Sequence, residues 1–482
     1  MTLPQPKPHK NHTRRSFLSL LAPAPTRPNI ILCMGDDHGW NETAYNGHPH
    51  LKTPVLDQMA AAGLRLDRFY SAHPNCSPTR GSIMTGRHPN RYGTFAPGWS
   101  IRPEEITIAQ LLNQAGYACG HFGKWHLGPV KADSPTSPGA MGFHEWLSHD
   151  NFFEVDPILS RNGGPVQKHP GESSEIVVRE ALAFIAKAKA QGKPSFTVVW
   201  FGSPHEPYVG TEPYLSMYKD LPDPLRSRLA EITAMDHAIG QLRDGLRSSG
   251  LRDNTLLWYC GDNGVPPEGR STTPYRGHKG QVYEGGIRVP GIIEWPARLK
   301  PRKTSVHAVT TDILPTLCDL TGTPLPKRPL DGISLQPLLD GKMKQRPSPI
   351  FFWEFQSNRE EKSKPEPYLD PALQEGTTPT AKLMDGKYTR TFRNFKHPRI
   401  TNSDTQGPAA MLGNRFKLVI DPDPKAKTPQ PVREIFDLDA DRAETKDLAS
   451  AQPELANHME MQLRLWQKSV LASLTGADYK TK

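Results

Sequence analysis

The 482-residue chain lacks any run of eighteen apolar residues, so no membrane-spanning helix is expected. Cysteine is scarce. Cys33, Cys76, Cys119, Cys260 and Cys318 fit neither the spacing of a zinc site nor a dense disulfide framework. A dense basic face is also missing. The net charge is +9, but Lys7, Lys10, Arg14, Arg15 and Arg27 give +5 within residues 1–27, which hold no acid. Removing those five from 59 basic residues leaves 54 against 50 acidic ones, so the body is only mildly basic. That balance, with no recognition motif, excludes nucleic acid as a partner. It is compatible with an anionic substrate. Apolar residues are few for a globular chain, at 36%, and 49 prolines with 39 glycines imply many turns and long loops. The length predicts two domains. No internal repeat is present.

The N-terminus reads TRRSFLSLLAPAP. Two arginines, a short apolar run and Ala22-Pro23-Ala24 resemble a twin-arginine export leader over residues 1–27. Export to a periplasmic or extracellular space is the expectation. A basic leader without an address, leaving the protein cytoplasmic, is the other reading.

Strand and helix signals alternate through the next three hundred residues. The apolar run Ile30–Met34 reads as a strand buried on both faces, ending at Gly35-Asp36-Asp37. Thr53–Gly63 carries an N-cap Thr, a Pro at the first helical position and a closing Gly. Arg65–Ala72 reads as a strand delivering Cys76 in a polar turn. Thr107–Gly116 is a second capped helix, and 117–123 the strand after it. Residues 173–191 and 223–249 read as helices, Ser195–Gly202 as a buried strand. Asn254–Gly264 repeats the opening theme, a buried strand ending at Asp262-Asn263. GIIEW and the helix DILPTLCDLTG follow. The expected fold class is α/β, with a mostly parallel central sheet flanked by helices.

The character changes after Leu335–Gly341. PIFFWEF, AAMLGNRFKLVI and REIFDLDAD read as strands of an antiparallel sheet, and 453–468 as a terminal helix. The expected division is a leader over 1–27, a catalytic domain over 28–341 and a smaller C-terminal domain over 342–482. A loop-rich insertion occupies about 356–407. The stretch DADRAETKDLA lacks the Gly and terminal Glu spacing of an EF-hand loop.

In open parallel sheets ligands gather beyond the carboxyl ends of the strands. Asp36, Asp37, Asp262 and Asn263 fall there. Each pair alone could be a turn or helix cap. Two pairs, each ending a buried strand, form an oxygen-only set suited to a hard cation such as Ca²⁺ or Mg²⁺. Arg80, Lys124, His126, His205 and Lys279 lie in Gly- and Pro-rich turns around the same ends. A divalent cation with Arg and Lys would hold a tetrahedral oxyanion, phosphate or sulfate. The two histidines could move protons to and from nucleophile and leaving group.

Four of the cysteines sit in apolar contexts and read as buried thiols. Cys76 differs, lying in NCSPTRGSIMTGRHPNR among Asn, Ser, Pro, Thr and Arg. CSPTRGSIMTGR resembles the signature of the type I sulfatases, in which the Cys of a Cys-x-Pro-x-Arg core is oxidised to formylglycine. PNIILCMGDDHGW, GKWHLG, SPHEP, GDNG, RGHKGQVYEGGIRVP and EIFDLDADRAETKDLA are similar to further family segments, in family order. The resemblance implies the alkaline phosphatase superfamily fold, a large α/β domain with a smaller domain built on a four-stranded antiparallel sheet.

It also implies roles. Asp36, Asp37, Asp262 and Asn263 would ligate Ca²⁺, or Mg²⁺, with the modified Cys76 completing the set. Arg80 and Lys124 would hold the formylglycine, and His126 would act on it as base. His205 and Lys279 would face the sulfate and the leaving oxygen. Ser148, in LSHDN, matches a further substrate-binding position. The implied partners are a sulfated small molecule or glycan and a formylglycine-generating maturation enzyme. The insertion matches no family pattern. A phosphodiesterase or phosphonate monoester hydrolase of the same superfamily is the alternative. A catalytically inactive relative is opposed by the occupation of every expected functional position.

Overall fold

The computed structural model describes residues 1, 27–355, 366–379, 389–397, 400–401, 403–421 and 432–479. Residues 2–26, with the twin-arginine pattern, lie outside the described residues. Five apolar runs form the parallel centre of the main sheet. They are β1 (Asn29–Gly35), β2 (Ala118–Lys124), β3 (Glu145–His149), β4 (Ser195–Trp200) and β5 (Thr255–Gly261). Their order is β5-β1-β4-β2-β3, and each neighbouring pair is parallel. All five carboxyl ends therefore open on one side. Short strands continue the sheet on both flanks, to ten in all among the described residues. Gly291–Glu294, the expected GIIEW strand, joins β5 antiparallel, and Ile158–Arg161 joins β3 antiparallel.

Every residue of β1, β4 and β5 is buried, because helices cover both faces. Side chains alternate between two cores. Ile30, Leu32 and Met34 point into one, with Val198 and Trp258. Ile31 and Cys33 point into the other, with Val199, Leu257 and residues of helices Ser173–Ala190 and α2 (Leu225–Ser248). The expected helix at Thr53 forms over Pro54–Ala62, and Thr107 caps Ile108–Gln114 in a capping box with Gln110.

Two local readings are corrected. Arg65–Ala72 is not one strand. Leu64–Leu66 joins the main sheet, and Phe69–Tyr70 pairs with Arg288–Val289 and Ala308–Val309 in a separate sheet. The backbone turns at Asp67, whose carbonyl accepts from Trp40 and Arg288. Cys76 is not in a turn but opens helix α1 (Cys76–Thr85), all ten residues of which are buried. Pro78 is tolerated there because first-turn amides have no intrahelical acceptor.

The C-terminal strands form as expected. β6 (Ile350–Trp353), β7 (Ala409–Leu412), β8 (Phe416–Ile420) and β9 (Arg433–Asp437) make an antiparallel sheet in that order. The terminal helix runs further than the sequence indicates, over α3 (Pro453–Leu474). α3 covers one face through Met459, Leu463 and Leu471. The other face, including Phe352, Val419 and Phe436, packs against Tyr70, Val282 and Ile287 of the main body. The smaller sheet thus shares a core with the region that carries Cys76.

Candidate active site

The expected carboxylates converge where β1 and β5 end. The Asp37 amide donates to Asp262 Oδ1 at 2.9 Å, and Asn263 Nδ2 donates to Asp37 Oδ1 at 2.9 Å. All four side chains are buried. Asp37 sits at φ 59°, a left-handed turn that aims its carboxylate back across the strand end.

Cations surround them. Arg80, on α1, donates to Asp262 Oδ2 at 2.8 Å and to the Lys124 carbonyl at 3.0 Å, over the Trp200 ring. Lys124 Nζ reaches Asp36 Oδ2 at 2.7 Å, and Lys279 Nζ reaches Asp37 Oδ2 at 2.7 Å. Gly123 is what lets β2 deliver Lys124. Its φ is +106°, and a Cβ would lie 1.9 Å from the Trp200 carbonyl oxygen.

Cys76 Sγ is 3.7 Å from Asp37 Oδ1 at the positive end of α1. Burial pushes its thiol far above the ordinary range, against the pull of Lys124 and Lys279. Burial opposes charge on Asp36, yet Lys124, His205 and Arg80 hold it at about 2. Asp262 moves the other way, raised by burial and by Asp36. Each of the three carboxylates pairs with one of these cations, and together they could also hold a metal cation.

The donor set fits a hard one. Asp36 Oδ1 and Asn263 Oδ1 are buried with no hydrogen-bond partner, although Arg80 approaches Asp36 Oδ1 to 3.4 Å. Ligand atoms of Asp36, Asp37, Cys76 and His205 all lie within 4.8 Å of one another. Asp262 is not in that closest group; its oxygens accept from the Asp37 amide and from Arg80.

The two histidines differ. His126, at φ 57°, is buried with both ring nitrogens unpartnered. Burial, then Lys124, holds its pKa well below the usual imidazole range, so it is a neutral acceptor near pH 7. His205 stacks on Phe152, with ring centroids 4.3 Å apart and planes 11° from parallel. Its Nε2 lies 3.6 Å from Asp37 Oδ2 and 3.5 Å from Lys279 Nζ. Ser148 does not join them. Its hydroxyl pairs with His121 Nδ1 at 2.7 Å, inside the core on β3.

Several site residues were not anticipated. Arg228, on α2, holds both Glu42 oxygens at 2.8 Å and donates to the Asp37 and Pro204 carbonyls at 2.8 and 2.7 Å. It ties the metal-side turn to the His205 loop. A charged residue on an amphipathic helix reads as solvated, so the sequence offers no signal for it. Phe152, beneath His205, is likewise unmarked. The insertion also reaches the site. Phe392 lies 6.4 Å from the His126 ring, and the Thr377 and Thr378 amides donate to Asp150, just beyond β3.

The family model described as Sulfatase matches residues 28–323. N-acetylgalactosamine-6-sulfatase of Mus musculus is 32% identical over 384 residues, covering 70% of this chain and 71% of that protein. Arylsulfatase A of Homo sapiens is 34% identical over 366 residues, covering 68% and 70%. In fold, the crystal structure of Ps i-CgsB in complex with k-i-k-neocarrahexaose superimposes with a TM-score of 0.74. It is 23% identical, over 92% of this chain and 93% of that one. The chain belongs to the sulfatase family and is a sulfuric ester hydrolase.

Proposed function

We propose that the protein releases inorganic sulfate from a sulfated carbohydrate, at a site formed by a formylglycine made from Cys76 and a Ca²⁺ ion. The state of Cys76 carries this reading. As a thiol it is a poor nucleophile, because burial keeps it protonated. A formylglycine hydrate supplies two hydroxyls on one carbon, one to attack sulfur and one whose deprotonation lets the carbonyl re-form and expel sulfate. With Cys76 and α1 fully buried, conversion must precede folding of this segment.

Asp36, Asp37, Asp262 and Asn263 would hold the cation, which would offset charge on the sulfate oxygens. Arg80 and Lys124 fix the position of residue 76. His126, neutral and unpartnered, accepts a proton there. Lys279 and His205 face the ester oxygens, His205 oriented by its stack on Phe152. Ser148 acts only through β3, since its hydroxyl is spent on His121. The leader at 1–27 fits export, and 28–341 with 342–482 fits a catalytic domain and a C-terminal one.

The carbohydrate substrate class is supported by the N-acetylgalactosamine-6-sulfatase and Ps i-CgsB similarities. The test is turnover of 4-nitrophenyl sulfate against bis(4-nitrophenyl) phosphate, then of sulfated mono- and oligosaccharides. Sulfate release from sugars is expected. Faster turnover of the phosphodiester than of every sulfate ester would overturn the reading.

A further inference from the structure

The insertion places a cation beside the site that the reaction does not use. Arg390 is fixed through its backbone, where the Gly376 amide donates to its carbonyl at 2.9 Å. Phe392 donates to the Gln374 carbonyl and Arg393 to the Gly98 carbonyl, both at 2.9 Å. The same stretch is pinned to the end of β3 through Asp150, and Phe392 lies against His126. The Arg390 guanidinium packs over Gly98, where a Cβ would meet its Nη1 at 2.8 Å.

Arg390 is half-buried, and among the described residues its side chain has no ion-pair or hydrogen-bond partner. Burial lowers its pKa, and Arg393 pushes the same way. Arg390 in turn is among the charges that depress His126. With Phe392 against His126 and the same stretch held to Asp150 at the end of β3, this cation lies beside the reaction centre.

The centre does not need its charge. Asp36, Asp37 and Asp262 already balance Arg80, Lys124 and Lys279. A divalent cation and a sulfate monoester leave that set slightly positive. A further half-buried guanidinium adds positive charge there, which a second anion on the substrate would offset. Its planar fork matches a carboxylate or sulfate.

We propose that Arg390 binds a second anionic group of the substrate, a carboxylate or further sulfate on the same or adjoining sugar, and so selects polyanionic glycans. This rests on the sulfatase reading above. The probes are N-acetylgalactosamine 6-sulfate, its 4,6-disulfate, and a 6-sulfated disaccharide carrying a uronate. Each is measured as a substrate, or as an inhibitor of 4-nitrophenyl sulfate hydrolysis. The readout is the preference for each dianionic probe over the monosulfate, compared between wild type and Arg390→Ala.

That preference should fall about 10- to 100-fold, mostly in KM or Ki, as follows from losing a charged hydrogen-bonded pair. A fall with only the disulfate identifies a sulfate as the second group, and a fall with only the uronate a carboxylate. Arg390→Lys keeps the charge without the fork and should recover part of the preference. It replaces the alanine variant if that fails to fold by thermal midpoint. An unchanged preference, in an enzyme that still hydrolyses 4-nitrophenyl sulfate, overturns the inference alone. A wild type that hydrolyses no sulfate ester overturns the sulfatase reading and this inference together.

Discussion

Arg228 offers a test in which stability and activity separate. Its guanidinium holds Glu42 through two bonds of 2.8 Å, and both side chains are 2% exposed. Replacing Arg228 with Met strands the Glu42 carboxylate in the interior, which costs about 3–5 kcal/mol. In a chain of this size that corresponds to a fall of about 3–5 °C in thermal midpoint. The same change frees the Asp37 and Pro204 carbonyls, so Asp37 loses a restraint on a left-handed conformation that costs about 1–2 kcal/mol. Pairing Arg228→Met with Glu42→Leu removes the stranded charge and should restore most of the stability. It does not restore the two carbonyl tethers. Thermal melts with 4-nitrophenyl sulfate kinetics on both variants read the two effects. The double variant should melt near wild type and remain at least about tenfold impaired. Full activity in the double variant, or an unchanged melting point in Arg228→Met, would refute the reasoning.

Further outcomes follow from the site and its surroundings. His205→Ala should slow cleavage of a sulfated sugar about 10²–10⁴-fold and that of 4-nitrophenyl sulfate much less, because a good leaving group needs little protonation. His126→Ala should slow sulfate release about equally for both, with rapid-quench traces showing alcohol released before sulfate; equal losses for His205→Ala and no burst for His126→Ala would reverse the assignment. Asp262→Ala should abolish both metal content and activity, and stoichiometric zinc without calcium or magnesium in active enzyme would contradict the hard-cation reading. Glu231 is raised from its ordinary value to about 8, first by burial, so the folded state holds a proton that the unfolded state has lost. Its contribution to stability is then largest below about pH 4.5 and is lost as pH rises toward 8. Glu231→Gln should flatten the pH dependence of urea unfolding across that window and stabilise the protein at pH 8 by on the order of 1–3 kcal/mol; an unchanged slope would mean the carboxyl ionises without penalty.

The readable parts of the fold were those where one residue pattern has one physical use. An apolar run such as Ile30–Met34, ended by two carboxylates, can only be a buried strand carrying polar groups at its end. Thr107 with Gln110 fixes a helix start by capping chemistry alone. α1 was not legible as a helix, because CSPTRGSIMT is buried on every side and shows no amphipathic period. The split of Arg65–Ala72 depends on Arg288 and Trp40 meeting the Asp67 carbonyl, contacts far away in sequence. The Ser148 hydroxyl pairs with His121, a neighbour on the adjacent strand that period-two alternation alone does not predict. Arg228, Glu42 and Arg390 carry the charges of ordinary surface residues, and only the packing around them reveals their use.

The central claim is that Cys76 is a precursor and not the working side chain. Its most direct test is the mass of the tryptic peptide Phe69–Arg80 from active enzyme made in a host with the maturation enzyme. Conversion of CH₂SH to CHO lowers the mass by about 18 Da, and a hydrazide probe should capture the aldehyde. The predicted result is that the converted fraction tracks specific activity from preparation to preparation, and that Cys76→Ser loses multiple turnover. Full activity in a preparation whose peptide carries only the intact thiol would contradict the account.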